Sequence, residues 1–513
     1  MNNKLPSAGT KGLNWVRLTA ILLITFSVSC VPAGPEPTEE PTEVVQPTTP
    51  PTEAPTEVPT EVPTEPPEPT LEPDEPEVPL GNGPWWLISA EDGLWAANPD
   101  GSGLVRLMDA ATFEQQDIRS AVSPQGGYLA FITPDNPDKR WVGLNLNLMF
   151  IPPGGVWEII PLLSSEFAEE QQAMPGDPWF EAYRAIDGFP NIRWSPDGQT
   201  LAFVGVIEGP TSDLYTYSLA EASITRLTDG PSQGFRPSWS PNGLYIAHVG
   251  ADAFGTGAGF SMDGIWAARA DDTGVETLHT VTGFSGDEVG VGWVSPTEPV
   301  FYTWDPMCGP SNVRAYEIGT EEVTVLWEGY FDDDYRGSIA ADPVSGSVLV
   351  SVGRVASECN DDGTGGLYLL RTDQAAPIQV AQPPGGYIAW SPEVDLFLVV
   401  GEIGVRSVSP TGEVQELSTP VAELPAISPD GQLWALGASG SGELVGLWVG
   451  PFGQEPVQVY GGGVSYVAWG EGQTLMFSSG EGLYVASGPD FTPVLVGEGV
   501  EAWQEGTIVW VSP

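Results

Sequence analysis

Positive charge is what this sequence most lacks: 17 Lys and Arg stand against 69 Asp and Glu, a formal net charge of −52 over 513 residues. Nucleic-acid affinity rests on Lys and Arg meeting phosphates, so the balance argues against that partner and equally against adhesion to an anionic membrane surface. Histidine is nearly missing as well. His248 and His279 have no His or Cys nearby at metal-ligand spacing, which argues against a His-based zinc site. Both fall in strand-like runs, Tyr245-Ile-Ala-His248 and Glu276-Thr-Leu-His279, and read as structural; a Ser-His-Asp triad would need one of them on a loop. There is no Gly-x-Ser-x-Gly elbow set in a strand–helix pattern, which argues against a serine peptidase. Helical periodicity is scarce throughout, so the length does not translate into several domains.

What is present is a repeated turn. Ile192-Arg-Trp194 runs into Ser195-Pro-Asp-Gly198, and a second apolar run, Leu201-Ala-Phe-Val204, follows. Pro presets φ, Gly supplies positive φ, and Ser and Asp bond the nearby backbone, which is a hairpin signal with a mechanism. Ser240-Pro-Asn-Gly243 and Ser428-Pro-Asp-Gly431 repeat it, and weaker copies stand at Ser123-Pro124, Ser295-Pro296, Asp342-Pro343, Ser391-Pro392 and Trp469-Gly-Glu-Gly472. A truncated copy is read at Trp503-Gln-Glu-Gly506. Between copies lies a second repeated piece, such as Leu214-Tyr-Thr-Tyr-Ser218 followed by Ile224-Thr-Arg-Leu-Thr-Asp-Gly230.

Four short strands per unit, repeated every 40-odd residues, predict an all-β chain forming a single β-propeller of four-stranded antiparallel blades. The Trp-Ser-Pro-Asp-Gly turn, the Leu-Tyr-x-x strand and the closing Arg-Leu-Thr-Asp-Gly resemble a TolB-type propeller over roughly residues 84–513. The resemblance implies the fold and not the function, because such propellers serve many roles. Trp86-Leu-Ile-Ser, Gly93-Leu-Trp-Ala-Ala and Leu104-Val-Arg-Leu read as strands two to four of a blade with no strand one before them. Val500-Glu-Ala-Trp503 and Thr507-Ile-Val-Trp-Val supply a spare strand, so the N- and C-terminal strands are expected to share a blade and close the ring. Eight blades are expected, within a range of seven to nine, because one degenerate unit is discounted.

Residues 1–30 read as a signal peptide. Lys4, Lys11 and Arg17 precede the apolar run Leu18–Val28, which is short for a membrane span. Its end at Ser27-Val-Ser-Cys30 resembles a bacterial lipoprotein signal and implies lipidation of Cys30; an ordinary cleaved signal and an uncleaved anchor are the alternatives, and all three export the rest of the chain. Residues 31–82 repeat Pro-Thr-Glu at Pro51, Pro55, Pro59 and Pro63, without Lys or Arg, and read as a disordered, extended acidic stalk. The propeller then occupies 83–513. The expected location is the extracytoplasmic side of a bacterial cell envelope, anchored to the membrane only through the N-terminal lipid. A monomer is expected.

Antiparallel strands send their connections alternately to the two faces of the disc. The first-to-second and third-to-fourth turns, such as Asn98-Pro-Asp-Gly101 and Ser409-Pro-Thr-Gly412, are short. The long stretches at 133–142, 164–190, 205–213, 250–263, 281–289, 304–312, 329–337 and 354–365 all fall on the opposite face. Long loops on a rigid scaffold commonly carry binding. Their aromatics and carboxylates, Trp179, Phe180, Tyr183, Trp304, Asp305, Tyr330 and Tyr335, are the candidate ligand-binding residues, and they suit sugar rings or peptide side chains. The bland reading is that each packs its loop onto the propeller. Asp332-Asp333-Asp334 and Asp361-Asp362 are candidate Ca²⁺ ligands, although neither run fits an EF-hand. No other cofactor is expected. Cys308 and Cys359 fall in equivalent loops of adjacent blades, which predicts a disulfide.

The expected function is non-catalytic binding of a protein, peptide or glycan on the long-loop face. A carbohydrate-active enzyme, a hydrolase or lyase using paired loop carboxylates, is the alternative, and a structural surface protein the second alternative.

Overall fold

The computed structural model describes residues 79–512 apart from 114–115, 135–143, 152–154, 165–181, 183–184, 187–190, 255–259, 281–286, 306–307, 321, 332–336, 354–364, 402–403, 419–424, 440–444 and 503–505. All of them belong to one compact unit, Glu72–Pro513. Among the described residues the strands form nine antiparallel sheets, eight with four strands and one with three. They are numbered here as blades 1 to 9, starting from the one containing Trp85–Ala90. The molecule is a nine-bladed β-propeller. Nine is the upper end of the expected range. Blade 2, after Ser123-Pro124, is the degenerate unit: it keeps three strands, and its first strand is reduced to a single bridge, Val122 to Leu129.

The Ser-Pro turns form because their side chains complete the backbone hydrogen bonding locally. Ser195 N donates to Thr200 O at 2.8 Å and Gly198 N to Ser195 O at 2.8 Å. Ser195 Oγ accepts from Thr200 N at 3.0 Å and donates to Asp197 Oδ1 at 2.6 Å. The same pattern holds at Ser240 with Asn242 and at Ser428 with Asp430. The Ser195 hydroxyl pulls the Asp197 carboxyl below its ordinary range, as Ser428 does for Asp430. These residues are turn formers, as their composition suggests.

Apolar side chains on the two faces of each blade meet those of its neighbours. The core is accordingly nine clusters, one at each junction between adjacent blades. A fully buried Leu, Phe or Val contributes roughly 1.5–3 kcal/mol, so each junction is a separate hydrophobic core. A tryptophan at or near the end of the first strand reinforces several of them. Trp194 donates its indole N–H to Ala121 O at 2.9 Å, Trp239 to Arg193 O at 3.0 Å, Trp469 to Ala426 O at 2.9 Å and Trp293 to Ser238 Oγ at 3.1 Å. Every acceptor lies two residues before the Ser-Pro turn of the preceding blade, and Arg193, Ser238 and Ala426 belong to that blade's first strand.

The ring is closed by the two ends of the propeller, as expected. Trp85–Ala90 pairs with Ile508–Val511, placing Trp85 opposite Val511 and Ile88 opposite Ile508. Residues 500–502, read from sequence as part of the closing strand, lie outside it. The closing strand is Ile508–Val511, and Trp510-Val-Ser512 is its Trp-x-Ser element, in place of the copy read at Trp503.

Candidate binding face

Strand order fixes which connections share a face. On the turn face the longest connection spans 98–104. On the opposite face the connection after Trp157–Pro161 spans 162–191, and that after Ser347–Val352 spans 353–365. Long connections on this face belong mainly to blades 2–6, and the later blades carry tight links such as 402–403 and 480–481.

Two stretches read from sequence as loops are largely strand. Tyr245–Phe254 pairs with Phe260–Arg269 in blade 4, and Glu298–Asp305 pairs with Gly309–Tyr316 in blade 5, so 250–263 and 304–312 are hairpin extensions. In 281–289 the described residues, 287–289, begin the strand Asp287–Ser295. Trp304 and Asp305 therefore stand on a strand, opposite Pro310 and Gly309 respectively. Asp305 Oδ1 accepts the Cys308 backbone N–H at 3.1 Å and closes the hairpin tip.

Tyr330 lies beside the same hairpin. It bridges Ser311, while Asn312 N donates to Gly329 O at 3.2 Å and Phe331 N to Pro310 O at 3.0 Å. Residues 329–331 thus extend the sheet on the far side of Gly309–Tyr316 from Trp304. The structure brings Trp304, Asp305 and Tyr330 to one end of blade 5. Trp304 and Tyr330 are both partly exposed. The segment is pinned by Phe331, which is 1% exposed and meets Tyr302 edge-on at 5.4 Å, so packing governs that aromatic.

Trp179, Phe180, Tyr183, Tyr335, Asp332, Asp333, Asp334, Asp361, Asp362, Cys30 and Cys359 lie outside the described residues. Cys308 is disulfide-bonded. Among the described residues no group of three or more His, Cys, Asp or Glu is placed to hold a metal.

Two features escaped the sequence reading. Ala182, Ala185 and Ile186 are helical and buried in the 162–191 connection, and Asn191 holds its end. Asn191 Nδ2 donates to Ala185 O at 2.6 Å and Ile186 O at 2.9 Å, and its Oδ1 accepts from Arg236 N at 3.1 Å. Arg236 occupies a bulge in the first strand of blade 4 with φ 56, and its Nη1 donates to Glu288 O at 3.2 Å on the first strand of blade 5. A bulge of this kind re-aims a side chain. Glu288 is the second feature. Its carboxylate is buried, Oε1 accepts from Thr303 Oγ1 at 3.3 Å, and Thr303 Oγ1 accepts from Arg314 Nη1 at 3.3 Å. Burial raises the Tyr316 hydroxyl well above its ordinary value, and Glu288 adds to that rise. A lone Glu in a strand offers no signal of such a network.

The two histidines are structural, as read. His248 is buried and stacks on Trp266 at 5.9 Å; burial pushes its pKa down to about 4. His279 packs against Tyr316 at 5.7 Å, and burial, with a smaller contribution from Arg314, lowers it.

No family model matches the sequence. A Bacillus subtilis (strain 168) protein described as an uncharacterized peptidase, YuxL, is 47% identical over 54 residues, which is 10% of this chain. The chain spans 8% of that relative's length in the match. The crystal structure of a eukaryotic initiation factor is similar in fold, with a TM-score of 0.52 at 11% identity, covering 83% of this chain and 98% of that one. A putative TolB from Agrobacterium tumefaciens is matched at a TM-score of 0.26 and 19% identity, over 49% of this chain and 79% of that one. These likenesses bear on fold alone.

Proposed function

We infer that the chain is a TolB-like binding module whose partner, a protein, peptide or glycan, docks on the face of the long connections. One observation carries the reading: the departures from tight turns gather on one face, where blades 4 and 5 also project paired hairpins and where Trp304 and Tyr330 stand at the same end of blade 5, on either side of Gly309–Tyr316. Partly exposed aromatics on a rigid sheet bind with little ordering cost. The N-terminal features support an exported, lipid-anchored setting, with Cys30 the acylated residue and 31–82 the stalk. Acylation is read by the mass of the N-terminal peptide and by its loss in Cys30→Ala.

A thermal-shift screen of the full chain against soluble glycans, peptides and Ca²⁺ tests the binding reading, because a native-state ligand stabilises by mass action. The expected result is a saturable rise that Trp304→Ala and Tyr330→Ala abolish. A ligand whose shift survives both and disappears with substitutions on the turn face overturns it.

The enzyme reading is favoured by one specific observation, the buried Glu288 carboxylate linked through Thr303 to Arg314 beside the Tyr316 hydroxyl. Turnover of an acidic or neutral glycan that Glu288→Gln abolishes, with binding retained, would favour it over simple binding.

A further inference from the structure

Tyr460 ends the fourth strand of blade 8, Val457–Tyr460, and its ring lies against Phe477 and Tyr484 of blade 9, with centroids 5.1 Å from each. Phe477 and Tyr484 stack on one another at 5.1 Å. The Tyr460 hydroxyl donates to Ser479 Oγ at 3.4 Å, and the Tyr484 hydroxyl donates to Glu481 Oε2 at 2.5 Å. The bond to Glu481, with a smaller contribution from Tyr460, raises the Tyr484 phenol above its ordinary range. Ser479 and Glu481 belong to the tight link between Thr474–Ser479 and Gly482–Ser487, the second and third strands of blade 9, so the cluster stands on the face of the long connections.

The cluster is open to solvent. Glu481 is exposed and Tyr460 partly exposed, over a Tyr484 that is 8% exposed. Its surroundings are glycine. Gly461-Gly462-Gly463 joins Tyr460 to the first strand of blade 9, and a Cβ on Gly462 would fall 2.6 Å from the Tyr460 hydroxyl oxygen, so a larger residue there would displace the ring. A Cβ on Gly461, Gly480 or Gly499 would meet nothing within 4 Å among the described residues. The carboxylate also has capacity to spare. It offers about four lone-pair positions, and among the described residues its side chain accepts only the Tyr484 bond. That bond fixes its orientation, which lowers the ordering cost of a further contact.

We propose that Glu481 and Tyr460, both in contact with Tyr484 at the junction of blades 8 and 9, form a subsite for a cationic side chain, arginine or lysine, of a partner protein. The chemistry on offer is a carboxylate and aromatic faces, the two groups that attract an organic cation at short range. A net charge of −52 draws cations toward the chain from a distance and gives a neutral sugar ring no such help. The subsite shares a face with Trp304 and Tyr330 but lies in other blades, and it does not depend on the binding reading above.

The test is a fluorescence-anisotropy titration of the full chain against fluorescein-labelled tetra-arginine and tetra-lysine at about 0.15 M salt, where the long-range field is largely screened. Saturable binding of at least one peptide is expected, and Glu481→Gln should weaken it about tenfold. Glu455→Gln removes the same charge from the turn face of blade 8 and should leave it unchanged. Tyr460→Phe keeps the ring and should retain most of the binding, whereas Tyr460→Leu should weaken it as Glu481→Gln does. Tighter binding of tetra-arginine marks a stacked guanidinium, and tighter binding of tetra-lysine a compact ammonium. No saturable binding of either peptide overturns the proposal. Equal weakening by Glu481→Gln and Glu455→Gln also overturns it, because net charge alone would then be responsible. If Tyr460→Leu does not fold, Glu481→Gln, a substitution at an exposed side chain, decides the matter by itself.

Discussion

The indole N–H of Trp194 and the carbonyl oxygen of Ala121 meet at 2.9 Å across the junction of blades 2 and 3, and Trp239 repeats the contact with Arg193 one junction on. The same residue that sets up the Ser-Pro turn of its own blade therefore fastens that blade to the one before it.

Replacing Trp194 by Phe removes that donor and part of a buried side chain, while Ala121 O keeps the bond it accepts from Ala130 N at 2.9 Å. A loss of about 2–3 kcal/mol is expected. Trp293→Phe should cost less, because its acceptor is the Ser238 hydroxyl, which can turn to another partner. Denaturant midpoints of the two variants check the order.

Turn glycines should separate into two grades. Gly198 and Gly431 both have φ 67. A Cβ on Gly198 meets nothing nearer than 3.3 Å, whereas on Gly431 it falls 2.6 Å from Glu393 O of the preceding blade. Gly198→Ala should therefore cost about 1 kcal/mol, the backbone strain alone. Gly431→Ala should cost clearly more, because backbone cannot retreat as a flexible side chain does. Equal losses would mean that conformation, and not the packing between turns, selects glycine.

His248 gives stability a pH dependence. Its pKa falls from the ordinary 6.5 to about 4 on burial, so between those values the unfolded chain holds a proton that the folded chain does not. Its contribution is complete above pH 6.5 and is lost as pH falls toward 4, by about 3 kcal/mol in all. His248→Phe keeps a ring against Trp266 and removes the titration. The gap in thermal midpoint between variant and parent should move in the variant's favour across that window, and a constant gap would refute the assignment.

Cys308 is disulfide-bonded at the tip of the blade 5 hairpin, and Cys359 is the proposed partner, from blade 6. Cys308→Ser and Cys359→Ser should then destabilise equally, and the double variant no further. The expected loss is about 2–4 kcal/mol. Mass mapping of the oxidised chain identifies the linked peptides, and a bond from Cys308 to Cys30 would overturn the pairing.

The fold was legible because its signal is local. Ser195, Asp197 and Gly198 complete one another's hydrogen bonds within a single turn, so composition and spacing reveal it. What failed was decided between segments. Trp304-Asp-Pro-Met-Cys-Gly-Pro310 looks like a loop because two prolines and a glycine interrupt it. It continues as strand because Pro310, which has no N–H to give, needs only to accept, and Phe331 N supplies its carbonyl from the neighbouring segment. The closing strand reads too long in sequence for a similar reason: Val500 and Ala502 are buried and apolar, but only Ile508–Val511 pairs with Trp85–Ala90. Of the candidate site, the choice of face was legible from connection lengths. Glu288 is visible only as a charge inside a strand, and its link through Thr303 to Arg314 is a tertiary fact.

Pairing Trp85 with Val511 also sets an order of events during synthesis. Each middle blade can zip from neighbours already made, but the edge of Trp85–Ala90 stays bare until Ile508–Val511 has left the ribosome. Contacts so distant in sequence form slowly, and a bare strand edge invites pairing with the wrong chain. A message cut short just before Ile508 would therefore yield a chain whose ring has an open seam at Trp85–Ala90 as its recognisable defect.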